Sequence, residues 1–139
     1  MHRRLPKYLL LALVLYWAAM FVATHIPGDA MPEQSLGLDK LAHFTAYAIL
    51  AWLAAMLLRV TGWWNWKTAL AIVFVAAIYG AIDEWLQPYF DRHADVDDWL
   101  ADMVGVAFGL LVFYFTQPLI WRWNVNRKKT IATRPPTAS

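Results

Sequence analysis

Apolar residues run without a charged interruption from Tyr8 to Ile26. A second run extends from Leu41 to Leu58 and stops at Arg59. A third starts at Thr68, meets Asp83 and Glu84, and ends near Gln87, where Pro88 breaks the helical pattern. A fourth reaches Trp121 from about Asp98, with one further acid, Asp102, near its start. A helix needs about 20 mostly apolar residues to cross a hydrocarbon layer ~30 Å thick, because each residue rises ~1.5 Å. The pattern therefore predicts four membrane-spanning helices, over about 8–26, 41–58, 68–87 and 98–121. The links between them are short, which makes neighbouring helices antiparallel. The expected fold class is all-α: a polytopic four-transmembrane-helix bundle forming a single domain over residues 1–121. Residues 122–139 are basic, end in Pro-Pro-Thr-Ala-Ser, and are expected to be a disordered tail.

Composition supports this reading. Of 139 residues, 60% are hydrophobic and 16% charged, against about 45–50% and about 25% in soluble domains. So small a soluble chain could not hide that much apolar material. A nucleic-acid-binding domain is excluded on the same ground, and the absence of cysteine excludes disulfides, thiol catalysis and thiolate metal sites. The first run is longer than the ~7–15 apolar residues of a signal peptide and is expected to be a retained helix.

The position of the charges says more than their sum. Ten of the twelve Lys and Arg residues lie at the N-terminus, in the second link or in the tail; only Lys40 and Arg92 lie elsewhere. Basic residues mark the cytoplasmic side, so both termini are expected there, with the first and third links outside. Trp63, Trp64, Trp66, Trp85, Trp99, Trp121 and Trp123 flank the spans, where indoles anchor at the headgroup level. All ten acids lie in or beside the two outward links.

Several of those acids form helical stripes. Asp39, His43 and Tyr47 share one face of the second helix; Tyr79, Asp83 and Gln87 share one face of the third; Asp95, Asp98 and Asp102 lead into the fourth, continued by Gly105 and Gly109. The glycine pair predicts close approach of another helix. A carboxylate in a span costs ~2.5–3.5 kcal/mol at mid-bilayer, so these groups are expected to face the bundle interior and a shared pocket. Asp83 and Glu84 are adjacent and point ~100° apart on a helix, so they do not form a proton-sharing dyad.

The motifs Asp39-Lys40-x-x-His43-Phe44-x-x-Tyr47, Tyr79-Gly80-x-x-Asp83-Glu84-x-x-Gln87 and Arg92-x-x-Asp95-x-x-Asp98-x-x-x-Asp102-x-x-Gly105 together resemble the VanZ-like family of small bacterial membrane proteins. The resemblance covers roughly residues 10–118. The family is named for a protein associated with low-level resistance to the glycopeptide teicoplanin. The resemblance thus implies a protein of the bacterial inner membrane acting in the cell envelope. Asp95 stands where a small hydroxyl residue is common in that family, and Asp102 where asparagine is frequent.

The function expected is binding, or modification, of a lipid-linked or peptidoglycan-related molecule in an outward-facing polar pocket. Asp83 is the candidate base and His43 its conjugate acid or orienter. Lys40 and Arg92 would hold a phosphate or carboxylate, Arg92 by a bidentate fork. Asp39, Tyr47, Tyr79, Glu84, Gln87, Asp95, Asp98 and Asp102 complete the expected ligand-binding set. One alternative is a metal site drawn from His43, Asp83, Glu84, Asp98 and Asp102, an oxygen-rich set with one nitrogen. Another is a scaffold whose polar cluster is structural. A transporter fits poorly, because the titratable groups stop near one face.

Overall fold

The computed structural model describes residues 5–27 and 36–132. Asp29, Glu33, Arg3 and Arg4 fall outside these, as do residues 133–139 of the expected tail. Four helices follow in order: α1 (Leu5–Thr24), α2 (Leu36–Thr61), α3 (Trp66–Leu86) and α4 (Val96–Ala132), with a short 3-10 turn at Gln87–Phe90 between the last two. All four are long and apolar enough to cross a membrane.

Local chemistry sets the helix ends, several of which run past the apolar segments. At the end of α2, Gly62 takes a positive φ of 84°. The Trp63 amide donates to Leu58 O at 2.8 Å and the Gly62 amide to Arg59 O at 3.3 Å. These are the two bonds of a Schellman stop, which a side chain at position 62 would strain. α3 starts two residues before Thr68 because Asn65 caps it. The Asn65 Oδ1 accepts from the Lys67 and Thr68 amides at 2.9 and 3.2 Å, and Thr68 Oγ1 accepts from the Asn65 amide at 2.9 Å. Pro88 ends α3 as expected, opening the 3-10 turn. The fourth helix continues past the apolar run to Ala132. No glycine or proline interrupts 119–132, and a helix already nucleated extends readily through such a stretch.

Packing centres on α2, which lies against α4 along much of its length and also touches α1 and α3. The reason is the glycine stripe. A Cβ on Gly105 would collide with the Phe44 carbonyl, and one on Gly109 with the Ala48 carbonyl. With those atoms missing, the two backbones come together as the small-residue spacing predicts. Tyr47, Ala51, Ala55, Val106 and Phe113 form the most buried part of the core. Large apolar side chains such as Leu15, Phe74, Val104 and Phe115 instead face outward and are mostly exposed. Polar groups inside and apolar groups outside is the arrangement that lipid demands.

Candidate functional site

The end of α1, the start of α2, the end of α3 and the start of α4 meet at one end of the bundle. Every polar side chain that is buried among the described residues lies there: His43, Asp83, Glu84, Gln87, Asp98 and Asp102. Each has a partner, and most partners come from another helix.

Between α2 and α4, His43 Nδ1 lies 3.0 Å from Asp102 Oδ1. With Asp102 ionised its carboxylate only accepts, and the ring proton of this contact then sits on Nδ1. Asp102 is 1% exposed and His43 6%. One turn nearer the helix ends, Lys40 Nζ donates to Asp95 Oδ2 at 2.8 Å and to Asp98 Oδ1 at 3.2 Å, with Asp97 at 3.8 Å. Asp95 does three things. It caps α4 through Oδ1, which accepts from the Asp97 amide at 2.8 Å; it pairs with Lys40; and its own amide donates to Glu84 Oε2 at 2.9 Å. The Lys40 ammonium, helped by the Asp97 amide, holds the Asp95 carboxyl below the usual carboxylate range. Gln87 Nε2 donates to Glu84 Oε1 at 2.8 Å, so Glu84 ties the end of α3 to the start of α4.

Asp83 turns the other way, toward α1. Its Oδ1 accepts from Thr24 Oγ1 at 2.8 Å and lies 3.8 Å from His25 Nδ1. Arg92 donates through Nη1 to the Thr24 carbonyl at 3.2 Å, and its Nη2 is 3.7 Å from Asp39 Oδ1. Adjacent acids on α3 thus serve different neighbours, as their ~100° separation requires.

A cavity of about 150 Å3 opens between α1 and α2, lined by Met20, Thr24, Asp39, His43, Tyr47 and Arg92 among others. Tyr47 is 1% exposed, and its hydroxyl has no hydrogen-bond partner among the described residues. Gly80 makes room beside it: a Cβ there would lie 2.9 Å from Asp102 Oδ2 and 3.3 Å from the Tyr47 hydroxyl. Of the residues expected to bind a ligand, Asp39, His43, Tyr47 and Arg92 line this cavity. Lys40, Asp95, Asp98, Asp102, Glu84 and Gln87 do not line it; they form the network between α2, α3 and α4. Tyr79 lies behind Tyr47, their ring centroids 6.1 Å apart, and edge-on to Trp17 at 5.2 Å, in the wall of an apolar cavity of about 240 Å3 between α1, α2 and α3. Asp83 and His43, expected as partners, are bonded to Thr24 and Asp102 instead.

From the expected metal set, His43 and Asp98 converge with Asp39, one donor atom from each lying within 4.8 Å of the others. Asp83 and Glu84 are turned to the partners described above. Sequence reading missed Thr24 and His25, although they are the polar pair that closes the apolar run of α1 at this end. It also assigned Trp85 and Trp99 alike to the membrane interface; Trp85 is exposed. Trp99 turns inward, and its Nε1 donates to the Ala77 carbonyl at 3.0 Å, locking α4 to α3.

Compared with known proteins, the chain matches the family model described as VanZ/LLP1 over residues 6–121. No curated protein and no solved structure matches it.

Proposed function

The chain belongs to the VanZ/LLP1 family, and from that premise we propose that it is an envelope protein of the bacterial cytoplasmic membrane that binds a lipid-linked or peptidoglycan-related molecule. Its acid-bearing end faces outward and both termini face the cytoplasm; the partition of Lys and Arg supports this orientation. The observation that carries the reading is the cavity lined by Thr24, Asp39, His43, Tyr47 and Arg92. It lies at the acid-bearing end of the bundle, and it offers a guanidinium, a carboxylate, an imidazole and a phenol. Asp102 orients His43 toward it, as carboxylates orient working histidines elsewhere. If the site also does chemistry, His43 and Asp83 carry the proton transfers, and Thr24 relays between Asp83 and the cavity.

A second reading has its own support. Lys40, Asp83, Glu84 and Asp98 all have protein partners, which suits a scaffold whose polar end locks four helices. One set of measurements separates the two. Asp83→Asn, His43→Ala and Arg92→Lys are expressed beside the parent, and teicoplanin susceptibility, membrane abundance and detergent melting temperature are recorded for each. Arg92→Lys retains the charge but loses the planar fork. The binding reading expects lost protection at normal abundance and stability. Protection that merely follows stability across the four proteins would leave the scaffold.

A further inference from the structure

We propose that the apolar groove which α1 and α3 leave open over α2 holds the hydrocarbon chain of a single-chain lipid with an oxyanion head, the head lying in the cavity beside Arg92. This rests on the reading of that cavity as a binding site and names what binds. The groove has a volume of about 240 Å3. Its lining is aliphatic for most of its length: Leu13 of α1, Leu50, Ala51 and Ala54 of α2, and Ile72 and Val75 of α3. It is present because α1 leans on α2 and scarcely on α3. Met20 is the one described residue that α1 buries. Near the acid-bearing end the two helices are bridged by Trp17 against Tyr79 and by Thr24 donating to Asp83. Beyond Trp17, among the described residues, no hydrogen bond or ring contact joins them, and Val75 at the rim is 49% exposed.

Two observations name the occupant. The first is what can fill such a space. An aliphatic cavity gives water nothing to bond and takes an apolar guest instead. Within a membrane span the guest at hand is hydrocarbon. Thr68, at the end of the groove away from the acids, spends its hydroxyl in the α3 cap. The second is alignment with the polar cavity. On α2, Asp39, His43 and Tyr47 line the polar cavity, while Leu50, Ala54 and Leu58, in steps of three and four on the same face, line the groove. On α1, running the other way, Thr24 and Met20 line the first and Trp17 and Leu13 the second. Both helices change from polar to apolar at the same level. The two cavities form one column, head space then tail space, as an amphiphile lying along the bundle requires.

Arg92 selects the head. A guanidinium carries five N–H donors. One goes to the Thr24 carbonyl at 3.2 Å, and Asp39 at 3.7 Å lies beyond hydrogen-bond range. Donors remain for an oxyanion, which the planar fork fits. One groove continues from the cavity, so one chain is held. From Leu50 to Leu58 the groove follows α2 for about 12 Å. It is open at Val75, where a longer chain leaves sideways into the bilayer.

The probe is hexadecyl phosphate carrying a diazirine at mid-chain. It is photolysed with full-length protein in phosphatidylcholine vesicles, labelled residues are read by mass spectrometry, and the melting temperature of every variant is recorded. Saturable labelling is expected at Leu13, Ala54, Ile72 or Val75. Unlabelled hexadecyl phosphate is expected to compete about 10-fold or more better than hexadecanol, the equivalent of one hydrogen bond to a charged group. Arg92→Gln is expected to weaken labelling by a similar factor. Ala54→Phe on the floor and Val75→Trp at the exposed rim fill the groove and are expected to abolish its labelling; Leu15→Phe, facing outward, leaves it unchanged. Labelling confined to outward-facing residues such as Leu15 and Phe74 overturns the groove, as does groove labelling that survives in folded Ala54→Phe and Val75→Trp proteins. If phosphate preference and dependence on Arg92 persist in that case, the cavity reading stands without the groove. Groove labelling that hexadecanol competes equally, and that Arg92→Gln leaves intact, overturns the link between tail and head and with it the cavity reading.

Discussion

His43 of α2 and Asp102 of α4 share a 3.0 Å contact inside the bundle, and neither side chain is more than 6% exposed. The pair lies one turn above the place where Gly105 meets the Phe44 backbone, so its geometry depends on how closely the two helices approach. Close packing excludes competing water, and loss of either partner leaves a buried polar group alone. A double-mutant cycle with His43→Ala and Asp102→Ala, read by detergent-induced unfolding, is expected to give a coupling of about 1 kcal/mol or more, above the ~0.6 kcal/mol average for interhelical hydrogen bonds in membranes. Additive losses would show that the two groups do not act as a pair.

The glycine stripe makes a sharper demand. Gly105→Leu is expected to lower the melting temperature more than Leu110→Ala does, because it drives a side chain into the backbone of Phe44 while the other change leaves only a cavity. Overpacking of this kind costs about 1–3 kcal/mol or more where the neighbour is backbone that cannot step aside. Comparable melting of the two variants would mean that α2 and α4 separate easily.

Asp95 gives a pH dependence. Lys40 depresses its folded-state value, so its ionised form is favoured by folding, and that contribution is present above the unfolded value of about 3.9 and fades as pH falls through the lower folded value. Asp95→Asn keeps the cap at the start of α4 but removes the charge. The melting-temperature gap between parent and variant is expected to be full above about pH 5 and to narrow below about pH 4. A gap of constant size down to pH 3 would assign the whole effect to shape.

Topology is checked by reporter fusions. Fusions after Glu33 and after Arg92 are expected to report the outside, and those after Trp64 and Thr130 the cytoplasm. An outside signal at Trp64 would turn the acid-bearing cavity to the cytoplasm and remove the proposed access to envelope molecules.

The four spans were legible because hydrophobicity is a local property: each run carries its own cost of facing water. Stripes such as Asp39–His43–Tyr47 were legible for a related reason, since helical geometry alone puts residues four apart on one face. Helix ends were less so. Apolar content stops at Leu58 and begins at Thr68, but the chain stays helical until Gly62 can close a Schellman stop and starts again where Asn65 can cap. Beyond Trp121, α4 continues because nothing in residues 122–132 breaks it.

The choice of partner belongs to the tertiary structure. Sequence alone placed Asp83, His43 and Asp102 at one depth and identified Gly105 and Gly109 as a contact face, because composition and period decide both. It did not tell which acid His43 would meet. That was decided when the missing Cβ atoms of Gly105 and Gly109 let α4 press against α2, setting Asp102 against His43, while Asp83 on α3 turned to Thr24 of α1. Periodicity fixes the face a side chain occupies within its own helix, but the rotation and separation between helices come from packing, and hydrogen bonds a few ångströms long depend on both.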